Sequence, residues 1–257
     1  MQPKKSLGQH WLKDQLTLEA ICQAANLASS DTVLEVGPGL GDLTRQLVLR
    51  AGMVIAVELD QALVAELQRQ NIAPNLEIVS GDILKFDLTQ LPVGYKVVAN
   101  IPYYLTSNLI RILSESPNPP RLIVLLVQKE VAQRLAAQPG QMSLLSVSAQ
   151  LYYQVKLGPV VAAELFEPPP KVDSQVIILN YRGQPLFQNL DSKKFFQVVK
   201  AGFSGRRKKL RSSLSAGLSI DKSQADQLLQ VANINGDLRA QNLSLIDWHK
   251  LYTVVIK

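Results

Sequence analysis

Cysteine, histidine and long apolar runs are what this sequence has least of. Its single cysteine, Cys22, excludes an intramolecular disulfide, and two histidines as far apart as His10 and His249 leave no ligand spacing for a structural zinc site. No metal is expected. The longest strongly aliphatic run, Leu122 to Val127, is far too short to cross a bilayer, and Met1 to Asp14 holds lysines but no apolar stretch of signal-peptide length. The expectation is therefore a cytoplasmic chain that makes no use of a membrane. Cys22 falls in an apolar helical pattern with Leu18, Ile21 and Ala25, the setting of a buried, inert thiol.

Acidic residues are missing where basic ones are densest. Between Ser192 and Arg211 stand Lys193, Lys194, Lys200, Arg206, Arg207, Lys208, Lys209 and Arg211 without one Asp or Glu. The formal charge of +6 comes from this segment alone, since the rest of the chain carries 19 basic against 21 acidic residues. A block of one sign suits a polyanion, and its alternative is a solvated helix face. The 257 residues, 47% hydrophobic and 19% charged, are a globular chain of one large domain or of a medium domain with a smaller appendage.

The hydrophobic pattern alternates between two periods. A helix over Thr17 to Leu27 precedes a strand at 32–36, and helix and strand then alternate through Met53 to Val57, Leu76 to Val79, Tyr95 to Ala99 and Leu122 to Val127. Near-continuous apolar strands between helices specify a parallel sheet covered on both faces, an α/β fold of the Rossmann-like kind. Ala149 to Leu157 and Gln175 to Tyr181 read as two late strands around a proline loop, an antiparallel pair that closes the sheet. Past Gly183-Gln184-Pro185 the strands stop, and helices are expected at 192–203, 206–217, 223–231 and 245–255. The last of these starts at Ser244, with Asp247 three residues on. Residues 1–184 are thus expected to form the catalytic domain and 185–257 a small all-helical one.

Glycines and acids gather where the strands end. Glu35-Val36-Gly37-Pro38-Gly39-Leu40-Gly41 follows the first of these strands, Glu58-Leu59-Asp60 ends the second, and Ser80-Gly81-Asp82 ends the third. Glycine admits a ligand close to the backbone, and an acid at the next strand tip accepts both hydroxyls of a ribose. A dinucleotide fingerprint would place its third glycine at position 42, which here is Asp42, so NAD is disfavoured. The G-x-G-x-G spacing is instead that of class I S-adenosylmethionine enzymes, with Asp82 placed for an adenine amine or for a simple turn.

Asn100-Ile101-Pro102-Tyr103 ends the fourth strand and matches the [D/N]-P-P-[Y/F] type of amino-group methyltransferases. An exocyclic adenine amine is a weak nucleophile because its lone pair is delocalised into the ring. The Asn100 side-chain oxygen and the Ile101 carbonyl are suited to hold its N–H bonds while Tyr103 stacks on the base. Catalysis then rests on proximity and line of attack, without a strong base. Phe166, ahead of three prolines that hold their loop extended, is a second ring for the base.

These motifs, together with Ser6 to Leu12, Gln128 to Val131, Phe166 to Ser174, Phe203 to Leu214 and Arg239 to Leu245, resemble the small-subunit ribosomal RNA adenine dimethyltransferases across nearly the whole chain. The resemblance implies N6,N6-dimethylation of two adjacent adenines near the 3′ end of small-subunit (16S) rRNA during subunit biogenesis, by a monomer. It places S-adenosylmethionine against His10, Leu12, Gly37, Gly39, Glu58, Asp82 and Asn100, and the target adenine between Tyr103 and Phe166. RNA would be gripped by Lys200, Arg206, Arg207, Lys208, Lys209 and Arg211, with Phe196, Val199 and Phe203 packing that helix inward. Two departures stand out: His10 where the family usually has asparagine, and Tyr104 where many members have asparagine. The rival readings are a large-subunit (23S) resistance methylase with the same catalytic motifs and a non-catalytic RNA-binding assembly or transcription factor on the same fold.

Overall fold

The structure, a computed structural model, describes residues 3–4, 7–205 and 207–256. Its elements divide into two compact units, residues 1–133 with 154–181 and residues 134–153 with 182–257.

The first unit opens with a short strand β1 (Trp11–Leu12) and helix α1 (Gln15–Ala25), followed by β2 (Thr32–Val36), α2 (Asp42–Val48), β3 (Met53–Glu58), α3 (Gln61–Gln70) and β4 (Leu76–Ser80). Next come β5 (Lys96–Asn100), α4 (Thr106–Glu115), β6 (Leu122–Gln128) and α5 (Lys129–Leu135). After α6 (Leu144–Tyr152) the chain returns as β7 (Tyr153–Val161), β8 (Phe166–Glu167) and β9 (Ser174–Tyr181). Seven strands form one sheet in the order β4-β3-β2-β5-β6-β9-β7. β2 to β6 pair in parallel, and β9 runs antiparallel to β6. Strand order reverses between β2 and β5, and in open α/β sheets the carboxyl ends at such a point form the ligand crevice. The interior strands are apolar on both faces, as β6 shows with Ile123 to Val127 wholly buried, because helices cover both sides.

One part of the late sequence folds differently from its local pattern. The expected strand over Ala149 to Leu157 is a helix as far as Tyr152 and a strand only from Tyr153. A capping box between Ser143 and Ser146 starts α6, and a short apolar run of this kind is compatible with either buried element.

The second unit holds α6 and four further helices, α7 (Ser192–Phe203), α8 (Leu210–Leu218), α9 (Lys222–Val231) and α10 (Leu245–Val255). The amides of Gly140 and Met142 both donate to the Gln241 carbonyl, which ties residues 134–153 to the C-terminal helices. α7 buries Phe195, Val198, Val199 and Gly202. The apolar stripe is therefore centred on Phe195, with Phe196 and Phe203 only half-buried at its margins. Gly202 is required by a close approach: a Cβ there would stand 2.3 Å from the Trp248 ring. The capping box of Ser244 and Asp247 starts α10 as its sequence predicts.

At the amino ends of β5 and β6 lies a buried ion cluster. Lys96 Nζ is 2.8 Å from Asp31 and also donates to the Ala25 and Asn26 carbonyls that end α1. Arg121 reaches Asp31 from the outer side at 2.7 Å. Burial pushes the Asp31 carboxyl up, but the Lys96 hydrogen bond, the Ala28 amide and the charges of Lys96 and Arg121 outweigh it and hold it below its usual range. This cluster contributes stability above the unfolded carboxylate range, and the contribution is lost as pH falls through the lower folded value. Lys96→Ala leaves the aspartate and two helix-end carbonyls without their buried cation, and should cost about 3–5 kcal/mol in denaturant unfolding.

Candidate active site

The carboxyl ends of β2 to β5 surround a cavity of about 260 Å³. His10, Leu12, Gly37, Gly39, Glu58, Asp82, Asn100, Ile101, Pro102, Tyr103 and Phe166 all line it, so the sequence-derived candidates for cofactor and base converge on one place.

The glycine loop leaves β2 with Gly37, Gly39 and Gly41 all at positive φ. At Gly39 a side chain is crowded as well, because a Cβ would stand 3.3 Å from the Trp11 indole. This loop is closed onto the tip of β3: Glu58 accepts from the Gly39 amide at 3.3 Å and from the Asp60 amide at 2.8 Å. Burial raises the Glu58 carboxyl despite these hydrogen bonds. Asp60, which caps α3 through the Ala62 amide, is held low chiefly by its hydrogen bond from Lys4 at 2.8 Å. Asp82 caps a short turn through the Leu84 amide and still borders the cavity, so its two readings coexist. Glu35 is almost wholly buried, and desolvation, with the neighbouring Glu58 charge adding to it, pushes its carboxyl up to about 8.

The cavity carries a sign. Asp42, Glu58 and Asp82 line it, Glu35 being held largely neutral at pH 7 by its raised value, and among the described residues no lysine or arginine does. Asp42 is also the first residue of α2, at the helix end where a pyrophosphate would otherwise bind. The acidic lining fits a nucleoside cofactor with a cationic centre and disfavours a dinucleotide.

Asn100 ends β5 with its amide oriented by the N-terminal arm. Asn100 Nδ2 donates to the His10 carbonyl at 3.3 Å, which leaves Oδ1 as an acceptor. Tyr103, half-buried in the short turn that follows, is hydrogen-bonded through its phenol to the buried Ser174 hydroxyl at 2.8 Å. The arm is held by β1, which pairs antiparallel with β8 to match Trp11 with Glu167 and Leu12 with Phe166, and by an ion pair from Lys13 to Glu167. Phe166 is only 4% exposed and belongs to the hydrophobic cluster that holds Leu12, Leu18, Val161 and Val176, so it is a core residue and a cavity wall together. Lys4 and Lys13 read from the sequence as a small basic arm near the cofactor entrance, whereas local sequence patterns do not reveal the Asp60 partner of Lys4, the Ser174 contact or the Trp11 packing, because each links groups more than 20 residues apart.

The basic segment is narrower than its composition. Arg206 lies outside the described residues. Lys209 pairs with Asp237, and Arg211 pairs with both Asp226 and Asp237. Lys200, Arg207 and Lys208 are exposed.

Among the described residues there is no group of three or more His, Cys, Asp or Glu that could hold a metal, and no helix long and apolar enough to cross a membrane. The sequence matches the family signature of the ribosomal RNA adenine dimethylases over residues 1–257. It is 43% identical to a "Ribosomal RNA small subunit methyltransferase A" of Dehalococcoides mccartyi, over 99% of this chain and 89% of that protein. The fold is similar to a dimethyladenosine transferase of Plasmodium falciparum, with TM-score 0.80 and 28% identity over 94% of this chain and 96% of that one. It is also similar to the 23S rRNA methyltransferase ErmE, with TM-score 0.76 and 28% identity over 96% and 100% of the two chains. A match over the whole length to the family signature and 43% identity to a relative along nearly the full chain lead to one statement: the chain belongs to the ribosomal RNA adenine dimethylase family, and it is a methyltransferase.

Proposed function

We propose that the protein uses S-adenosylmethionine to dimethylate N6 of two adjacent adenines near the 3′ end of small-subunit rRNA. The observation that carries this reading is the orientation of Asn100 at the acid-lined cavity, its Nδ2 engaged by the His10 carbonyl and its Oδ1 left to accept. The cofactor supplies an electrophilic methyl group on a sulfonium centre. Glu58 would hold the ribose hydroxyls, Asp82 the adenine end of the cofactor, and the glycine loop with the His10 backbone and Leu12 its flanks. Asn100 Oδ1 and the Ile101 carbonyl would take the two N–H bonds of the target amine and so direct its lone pair. Tyr103 and Phe166 would enclose the base. None of these groups need remove the proton before the new bond forms, because the methylated amine is acidic enough to release it to solvent afterwards.

The small-subunit target is favoured over the large-subunit one by the 43% identity to a small-subunit enzyme along nearly the full chain, since both structural relatives stand at 28%. Residues 185–257 serve, in this reading, as the helical RNA-docking part, with Lys200, Arg207 and Lys208 among its exposed cations. A non-catalytic role is disfavoured by the complete constellation of Glu58, Asn100 and Tyr103 in one cavity.

Methyl-labelled cofactor offered to small-subunit particles and, separately, to large-subunit rRNA should label only the former, at two neighbouring adenines; label confined to the large-subunit RNA would overturn the assignment. Asn100→Ala should lower the methylation rate about 100-fold or more while RNA retention in a filter assay persists. Arg207→Glu with Lys208→Glu should reduce the salt slope of RNA binding by about 1.5, one phosphate contact for each residue. In contrast, Arg211→Ala should act first on the melting temperature, because it breaks two ion pairs within the helical unit. Glu35 yields a prediction of the opposite sign to Asp31: its folded value of about 8 exceeds the ordinary 4.5, so it favours the folded state fully below 4.5 and less and less up to about 8. Glu35→Gln should flatten the fall of ligand-free stability across that interval, measured by urea unfolding at pH 5 and pH 8.

A further inference from the structure

His10 is one of the two positions at which the chain departs from the asparagine usual in the family it resembles, and its side chain makes two contacts. Its Nδ1 lies 2.7 Å from the Pro168 carbonyl, which can only accept, so Nδ1 carries the hydrogen. Its ring stacks on Tyr103 at 5.9 Å between centroids and 22° between planes. Tyr103 is fixed at its other end by Ser174, which is wholly buried on β9. Pro168 stands two residues past Phe166 on the same loop. The imidazole therefore joins the turn that carries one proposed base-stacking ring to the loop that carries the other.

We infer that the His10 side chain is a positioning residue for the target base, not a ligand of the cofactor: with Ser174 it fixes the plane of Tyr103 and its distance from the Phe166 loop. Both contacts of the imidazole lie on Tyr103 and Pro168, and neither is made to Gly39, Glu58 or Asp82, the groups proposed to hold the cofactor. The backbone of the same residue does something separate, because its carbonyl orients Asn100. A side-chain substitution keeps that carbonyl and removes only the clamp. Stacking needs a ring held flat before the base arrives, and a tyrosine pinned at its phenol and along its face meets that requirement without reorganisation.

This inference rests on the reading of Tyr103 as a base-stacking residue, and the experiment separates the two. His10→Ala, His10→Phe, His10→Asn, Ser174→Ala and Tyr103→Ala are made in the full chain, with melting temperature as a check on folding. Three quantities are read: affinity for S-adenosylhomocysteine by calorimetry, KM and kcat for methylation of small-subunit particles, and fluorescence of a short RNA bearing 2-aminopurine at the target position, which is quenched on stacking. His10→Ala should raise the KM for RNA about tenfold and reduce the quenching, with cofactor affinity within about twofold of the parent. His10→Phe keeps a ring and should recover the quenching. His10→Asn keeps a donor for Pro168 and should recover part of the KM. Ser174→Ala should lose quenching in the same sense. Unchanged KM and quenching in His10→Ala, or a tenfold loss of cofactor affinity there, would overturn the inference. Full quenching in Tyr103→Ala would instead overturn the base-stacking reading beneath it. If His10→Ala fails to fold, His10→Phe decides alone: normal stacking with a raised KM supports the clamp, and parental values of both refute it.

Discussion

One short strand pair holds this site together. Trp11–Leu12 lies against Phe166–Glu167, more than 150 residues away in the chain, and that pairing brings the N-terminal arm across the carboxyl ends of the sheet. Leu12 and Phe166 enter the core as matched residues, so ordinary hydrophobic burial stabilises the closure. The consequences reach the chemistry directly. With the arm in this register the His10 carbonyl meets the Asn100 amide, the Trp11 indole covers Gly39, and Lys4 reaches Asp60 at the tip of β3. Sliding the arm by one residue would carry His10, Trp11 and Lys4 off these partners.

Electrostatics divides the labour between the two compact units. The sheet unit concentrates acids at its cavity and keeps the basic residues that approach it, Lys4 and Lys13, committed to Asp60 and Glu167. The helical unit concentrates cations on one segment, then spends Lys209 and Arg211 on its own acids. The separation has a chemical logic. A cavity for a cationic cofactor needs negative walls, whereas a phosphate backbone needs positive ones, and both could not be built from the same residues.

Much of this was legible in the sequence because it is local. The β-α alternation, the glycine loop, the acid at the tip of β3 and the Asn-Ile-Pro-Tyr turn are each set by residues within a few positions of one another. What was not legible is long-range. Asp226 and Asp237 lie 15 or more residues past the basic segment, so a charge count over 192–211 overstates the free cations. Phe195 and Phe196 are adjacent on a helix, and the packing of Tyr252 in α10 against Phe195 decides which faces inward. Ala149 to Tyr152 is apolar enough for either buried element, and the Ser143–Ser146 cap, two serines without the usual glutamate, gives little warning of a helix. The role of Phe166 was half visible: its proline loop marks it as special, but its burial follows from β1, which no local pattern links to it.

That double role of Phe166 bears on how such a site can vary. A ring that is both core and cavity wall is exchanged for a polar group only at a cost in stability, so the second face of the proposed base pocket is constrained by folding as well. The first face is free of that constraint. Tyr103 is half-buried and tethered by two side chains, Ser174 and His10, neither of which belongs to the hydrophobic cluster around Phe166. Variation at position 10 can therefore retune the tyrosine without disturbing the core. A histidine at a position where asparagine is usual is the kind of change this arrangement permits: the backbone contact to Asn100 survives any side chain, while the imidazole adds a stacked ring and a donor that reach the base side of the cavity.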